Sequence, residues 1–163
     1  MNHQQIKTLI KDTLVVLGDK YASDDAVNMV FWTGLVESRY EYIKQLGTGP
    51  ARSFWQVEPE TAVSQVQNYL KYRPKLAFRC AEATMTQPDV WVKGDVDAWD
   101  QILLVNMASG IVHCRLKYWR SPMPMAKNVE DASKMWKDIY NTVHGSGSKV
   151  KFLEMVSSLT SNP

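Results

Sequence analysis

Apolar residues recur along this chain at spacings of three and four rather than two, the pattern of helices with one buried face. Ile6, Leu9, Ile10 and Leu14 mark a first helix, and Gly18 closes it. Ser23 is placed to cap a second, through Val27, Val30 and Phe31 into Leu35 and Val36. Pro59 suits the first turn of a third, which ends before Pro74, and Pro74 starts a fourth toward Met85. Asp95 to Arg120 holds no proline and predicts the longest helix of the chain. Asn128 with Asp131 opens a helix reaching Tyr140, and Ser148 to Leu159 forms the last. Residues 41–58 break the pattern around "GTGP", where a short hairpin is possible but alternation is weak. "HGSGS" at 144–148 reads as a turn between helices. The expectation is an all-α, single domain over residues 1–163, of about seven helices, with one irregular loop or short hairpin after Glu37.

Composition changes this picture little. At 163 residues the chain is long enough for a real core. With 45% hydrophobic and 22% charged residues it reads as globular rather than disordered. A net charge of +2 gives no electrostatic case for nucleic acid or a membrane surface. No apolar run reaches the roughly 18 residues of a membrane span. The amphipathic start "MNHQQIKTLIKDTLVVLG" lacks the layout of a signal peptide. Cys80 and Cys114 stand singly on apolar segments and read as buried free thiols. His3, His113 and His144 are scattered, so neither a metal site nor a cofactor is expected.

The candidate chemistry begins at Glu37, which follows the apolar run "FWTGLV". A carboxyl placed there loses solvation. Its pKa rises and it can serve as a general acid near neutral pH. "LGTGPARS" then supplies two glycines and small neighbours that let backbone approach a ligand closely. "FWQVEP" adds two aromatic faces, an amide and a second acid, groups suited to sugars. The same Phe54 and Trp55 also suit a loop packed onto the core. "HCRLKYWR" carries Arg115, Lys117 and Arg120 beside Tyr118 and Trp119, a phosphate-and-base combination. In a near-neutral chain it reads first as the solvated end of a long helix with its aromatics inside. That helix would present Asn106, Gly110 and His113 along one face.

"GLVESRY" followed by "GPARSFWQVEPETA" resembles the lysozyme-like lytic transglycosylases, whose pattern is Glu-Ser, a loop, then Gly-Leu-Met-Gln and Pro-x-Thr-Ala. Glu37-Ser38 matches the first element, and Gln56, Pro59, Thr61 and Ala62 match the second. Asn106, in "LLVNMASGIVHCRLKYW", matches an asparagine of a long helix. Tyr140-Asn141 matches a Tyr-Asn-Ala-Gly stretch. The matches span residues 32–145. "CRLKYWRSPMPMA" and "WKDIYNTVHGSG" are similar to stretches in small proteins of tailed bacteriophages of this superfamily. Two departures stand out: Ser53-Phe54-Trp55 replaces Gly-Leu-Met, and Thr142 replaces the small residue after Tyr-Asn.

The resemblance implies a lysozyme-like fold and a phage enzyme acting on peptidoglycan glycan strands. It would cleave the β-1,4 bond between N-acetylmuramic acid and N-acetylglucosamine. Glu37 would be the catalytic acid and then base, and Tyr140 would hydrogen-bond near it and set its protonation. Gln56 and Asn106 would contact the glycan or its N-acetyl group, and Ser38 would support the loop or the developing charge. Ser53, Trp55 and Asn141 complete the implied substrate-binding set. A transglycosylase needs no second carboxylate, because the sugar's own 6-hydroxyl closes onto the anomeric carbon. A hydrolase needs an acid pair about 5–9.5 Å apart, and Glu58 or Glu41 could supply the partner. Glu58 reads better as a loop residue. Virion location, with other virion proteins as partners, is implied, or accumulation in the host before lysis. The alternative is a non-catalytic virion structural or ejection protein that retains the fold.

Overall fold

A computed structural model describes residues 1–142 and 145–161. Among these the chain is all α, with nine α-helices and no strand. None of them is long and apolar enough to cross a membrane. Helix α1, His3–Leu17, is capped by Asn2, whose side chain accepts from the Gln5 N–H, and ends at Gly18 with φ 130°. Helix α2, Asp24–Ser38, starts at Ser23, whose hydroxyl accepts from the Ala26 N–H. Helices α3, Pro59–Asn68, and α4, Pro74–Thr84, each open on their proline. Helix α5, Val90–Lys93, is a single turn, too short for periodicity to reveal. It is held by buried Trp91, whose indole N–H donates to Thr86 Oγ1 at 2.9 Å.

The expected long helix over 95–120 is two helices. Helix α6, Val96–Val105, stops at Asn106, which is extended (φ −119°, ψ 103°), and α7, Met107–Trp119, starts there. Asn106 Oδ1 accepts from the Ser109 N–H at 2.9 Å, and its Nδ2 donates to the Thr84 carbonyl at 2.8 Å. An asparagine that caps and also reaches a neighbouring helix favours a corner over a continuous helix. The apolar pattern runs through the corner because both helices bury residues, Trp99 and Leu103 from α6 and Ile111 to Leu116 from α7.

Helix α7 is the centre of the fold. It packs against α1, α2, α3, α4 and α6 and is buried nearly all round, as a helix enclosed by others must be. Helix α8, Val129–Met135, continues into a π-helical turn, Trp136–Asn141, and α9, Lys149–Thr160, packs back on α8 and α2. The expected turn at 144–148 falls partly outside the described residues. Cys80 and Cys114 are buried and free.

The irregular segment after α2 forms no hairpin. Isolated bridges join Lys44 to Arg52 and Arg52 to Val57. Its aromatics hold it instead. Tyr40 is buried and donates its hydroxyl to the Phe31 carbonyl at 2.8 Å. Trp55 is fully buried and donates its indole N–H to the Val30 carbonyl at 2.9 Å. Ser53 and Trp55 rest directly on Gly110 of α7, where any side chain would intrude. An added Cβ would lie 2.6 Å from Ser53 Oγ and 3.0 Å from Trp55 Cε3. Gly110→Ala should therefore lower the unfolding free energy by about 1–3 kcal/mol, despite the gain in helix propensity. Urea denaturation would read this as a lower midpoint at unchanged slope.

Candidate active site

Helix α2 ends at Arg39, which takes the left-handed conformation (φ 56°), and Tyr40 follows it there (φ 57°). This turn leaves Glu37 at the last turn of α2, on the wall of a groove of about 530 Å³. The loop supplies Gln56 and Glu58, α3 supplies Thr61 and Gln65, α7 supplies Lys117, and the π-helical turn supplies Tyr140 and Asn141. Four separate stretches of chain thus converge on one carboxyl.

The carboxyl is oriented by Trp136. Its indole Nε1 donates to Glu37 Oε1 at 2.9 Å. An indole N–H can only donate, so this bond occupies one carboxyl oxygen as an acceptor and leaves Oε2 to carry the proton. Burial pushes Glu37 from the ordinary carboxyl value up to about 7, while the Trp136 bond and the Lys117 charge pull against it. Burial wins. Lys117 is itself pulled below its ordinary value by burial, and its ammonium donates to the Tyr140 carbonyl at 3.1 Å. A π-turn inserts an extra residue into a helix and is found often at functional sites. Here it brings both Trp136 and Tyr140 toward the groove.

Tyr140 is in the groove wall, but its hydroxyl donates to the Trp55 carbonyl at 2.5 Å. The expected bond near Glu37 is made instead by Trp136, one turn earlier in the same motif. Gln56 lines the groove with its amide Nε2 donating to the Ser53 carbonyl at 2.8 Å, which leaves its carbonyl oxygen available. Asn141 lines it too, and its Oδ1 accepts from Lys137 Nζ at 2.9 Å. Lys137 also donates to the Gly145 carbonyl at 2.9 Å, tying down the far rim.

Four expected contacts lie elsewhere. Ser38 is fully buried, donating to the Gly34 carbonyl at 3.2 Å and accepting from the Tyr40 N–H at 3.1 Å, so it supports the turn into the loop and does not meet the groove. Ser53 is buried and accepts from the Trp55 N–H at 3.2 Å, and Trp55 is a core residue. Asn106 is committed to its corner between α6 and α7, with Thr84. None of these four side chains lines the groove, because each is used up by backbone groups. The face expected of α7 is also interior. His113 is fully buried, stacked on Trp91 at 4.9 Å and edge-on to Trp99 at 4.5 Å, and burial lowers it to about 3. Of the possible second acids, Glu58 is exposed at the rim and Glu41 lies outside the groove. Gln65, unforeseen from the sequence, is buried at the groove floor. Its Nε2 donates to the His113 carbonyl at 3.0 Å, and its Oε1 has no partner.

The chain matches no protein-family model, no curated protein and no solved structure. Among the described residues no cluster of His, Cys, Asp and Glu could hold a metal ion.

The raised carboxyl has a thermodynamic signature. Between pH 4.5, the ordinary value, and about 7 the folded protein keeps a proton on Glu37 that the unfolded chain has released. Stability from this group is complete below pH 4.5 and is lost as pH rises through 7, by about 3 kcal/mol in all and about 2–3 kcal/mol of it between pH 5 and pH 8. Urea unfolding at pH 5 and pH 8 should show that fall in the wild type and its absence in Glu37→Gln. Trp136→Phe removes the bond that favours the ionised form. The Glu37 carboxyl, followed by ¹³C NMR, should then titrate above the wild-type value, and a lower value would mean that Trp136 does not hold the carboxylate.

Proposed function

We propose that this protein cleaves the glycan strand of peptidoglycan at the N-acetylmuramic acid to N-acetylglucosamine bond, with Glu37 as general acid and then base. The observation that carries the reading is a half-buried carboxyl fixed by an indole N–H on the wall of a polar groove, where burial pushes it up to about 7. A general acid works best when its pKa is near the working pH. Glu37 Oε2 would give its proton to the glycosidic oxygen as that oxygen's bond to C1 breaks. The 6-hydroxyl of the same sugar then bonds to C1, and its proton returns to the Glu37 carboxylate. The product is a 1,6-anhydro sugar and no water is consumed.

Gln56, Asn141 and Gln65 suit the amides and hydroxyls of such a strand. The unpartnered, buried Oε1 of Gln65 is an acceptor for an N–H, such as that of an acetamido group. Glu58 lines the same groove but is exposed at its rim, a setting that suits a solvated loop acid, and the reading therefore takes internal attack over a carboxylate pair. The likeness of "CRLKYWRSPMPMA" and "WKDIYNTVHGSG" to tailed-phage proteins supports a place in the virion, opening the wall locally. One observation favours the alternative of a non-catalytic virion component with this groove. Phe54 and Trp55, the aromatics best suited to stack on sugar, are spent on the core.

Muropeptide mass spectrometry after incubation of purified walls with the protein separates these readings. Anhydro products are expected, and reducing-end products would make the enzyme a hydrolase. Glu37→Gln should lose about 10²- to 10⁴-fold in rate with the fold retained. Glu58→Gln should keep most of it. No reaction from the wild type under any condition would leave the structural alternative.

A further inference from the structure

On the other side of α7 from Glu37, a second cleft of about 650 Å³ opens between the end of α1, the first turn of α4 and the last turn of α7. Lys117 faces the groove and Trp119 lines this cleft. Two residues apart on a helix, they point about 200° apart, and the two sites share no residue. Lys20, Arg73, Lys75 and Arg79 line the cleft, and no carboxylate does. In a chain of net charge +2, with 19 basic and 17 acidic residues, four cations around one cleft without an interleaved acid are a strong local asymmetry.

Behind the cleft lies Arg115. It is 3% exposed, its Nε donates to the Tyr21 carbonyl at 2.8 Å, and its guanidinium is 5.3 Å from the Trp119 ring. Tyr21 and Trp119 are themselves walls of the cleft. Arg115 Nη1 is buried with no hydrogen-bond partner, and the guanidinium forms no ion pair among the described residues. A buried charge without a counter-ion is unfavourable, and an anion held in the adjoining cleft would offset it. Helix α4 adds a third feature. It begins at Pro74 with no side-chain cap, and Lys75 and Leu76 of its first turn line the cleft, with no side-chain acceptor for their backbone N–H groups. Such a helix start favours an anion.

The rings decide which anion. Trp119 already has Lys20 at 5.4 Å and Arg115 at 5.3 Å from its centroid. Tyr69 has Arg73 at 3.9 Å and Arg120 at 5.2 Å. With the protein's own cations against these rings, base stacking is disfavoured. Arg73 and Arg79 each spend one N–H on a backbone carbonyl, of Tyr69 and of Leu17, and keep further guanidinium donors for a phosphate, while Lys20 and Lys75 make no hydrogen bond among the described residues. We propose that this cleft binds a linear phosphodiester strand without aromatic bases, of the polyol phosphate kind, independently of the Glu37 groove.

The test is a titration of the full chain with a defined glycerol phosphate oligomer, followed by ¹⁵N NMR. Saturable shifts are expected at the Lys75 and Leu76 amides and at Arg115 Nε. The double variant Lys20→Glu/Lys75→Glu removes two side chains that make no hydrogen bond to the described protein, so circular dichroism should show an unchanged fold. Its binding should weaken by about tenfold or more, with a shallower salt dependence. Glu37→Gln should bind as the wild type does. The proposal is overturned by absence of saturation, by shifts centred away from the cleft, or by equal affinity in the charge-reversed variant. It is equally overturned if an oligothymidylate of the same charge binds about tenfold more tightly, which would make this a nucleic-acid site.

Discussion

Trp55 joins the three parts of the chain that make the groove. Its indole N–H is bonded to the Val30 carbonyl of α2, and its own carbonyl receives the Tyr140 hydroxyl of the π-helical turn. Its ring lies against Gly110 of α7 and edge-on to Tyr40. A buried indole cannot leave its N–H unpaired without loss, so these bonds fix where the loop sits. Glu37 on α2, Gln56 in the loop and Trp136 beside Tyr140 take their relative positions from this one residue, through its indole and its backbone carbonyl. Two aromatics that would suit a sugar face thus serve to build the groove rather than to line it.

The chemistry of the groove is a balance of opposing effects on one carboxyl. Burial disfavours the anion, and the indole bond and the Lys117 charge favour it. Had Lys117 dominated, Glu37 would be a permanent carboxylate and useless as a proton donor at neutral pH. Lys117 is held back because it is half-buried and its ammonium is committed to the Tyr140 carbonyl. A group that can both give and take a proton near neutral pH is what the proposed one-carboxyl mechanism requires. The same balance costs stability above pH 7, a common trade at functional sites.

Net charge concealed the electrostatic layout of the molecule. The near-balance of 19 basic and 17 acidic residues hides a cationic cleft lined by Lys20, Arg73, Lys75 and Arg79, and a patch near the loop where Glu58, Glu60, Asp97 and Asp100 gather. Within that patch Asp100 is paired with Arg52 at 2.9 Å. Charges far apart in sequence became neighbours only when α1, α4 and α7 packed.

Local chemistry made most helices readable in the sequence. Ser23, Pro59, Pro74, Asn128 and Ser148 act on backbone groups within a few residues, so their caps and starts carry over unchanged into the structure. Glu37 was readable too, because the apolar run before it already implied desolvation. Asn106 was not, since its corner depends on the Thr84 carbonyl 22 residues away. Nor was the commitment of Ser38, Ser53 and Trp55 to internal bonds, which needs partners on other elements. Trp136 heads the motif that ends in Tyr140-Asn141, and its donor-only indole was a signal beside an acid. Which of the two residues meets Glu37 is set by the π-helical turn, and periodicity does not report a single inserted residue. The sequence determined the elements and the carboxyl, because those follow from neighbours along the chain. The groove, its proton balance and the cationic cleft were decided by tertiary packing, because each is made of groups that meet only across it.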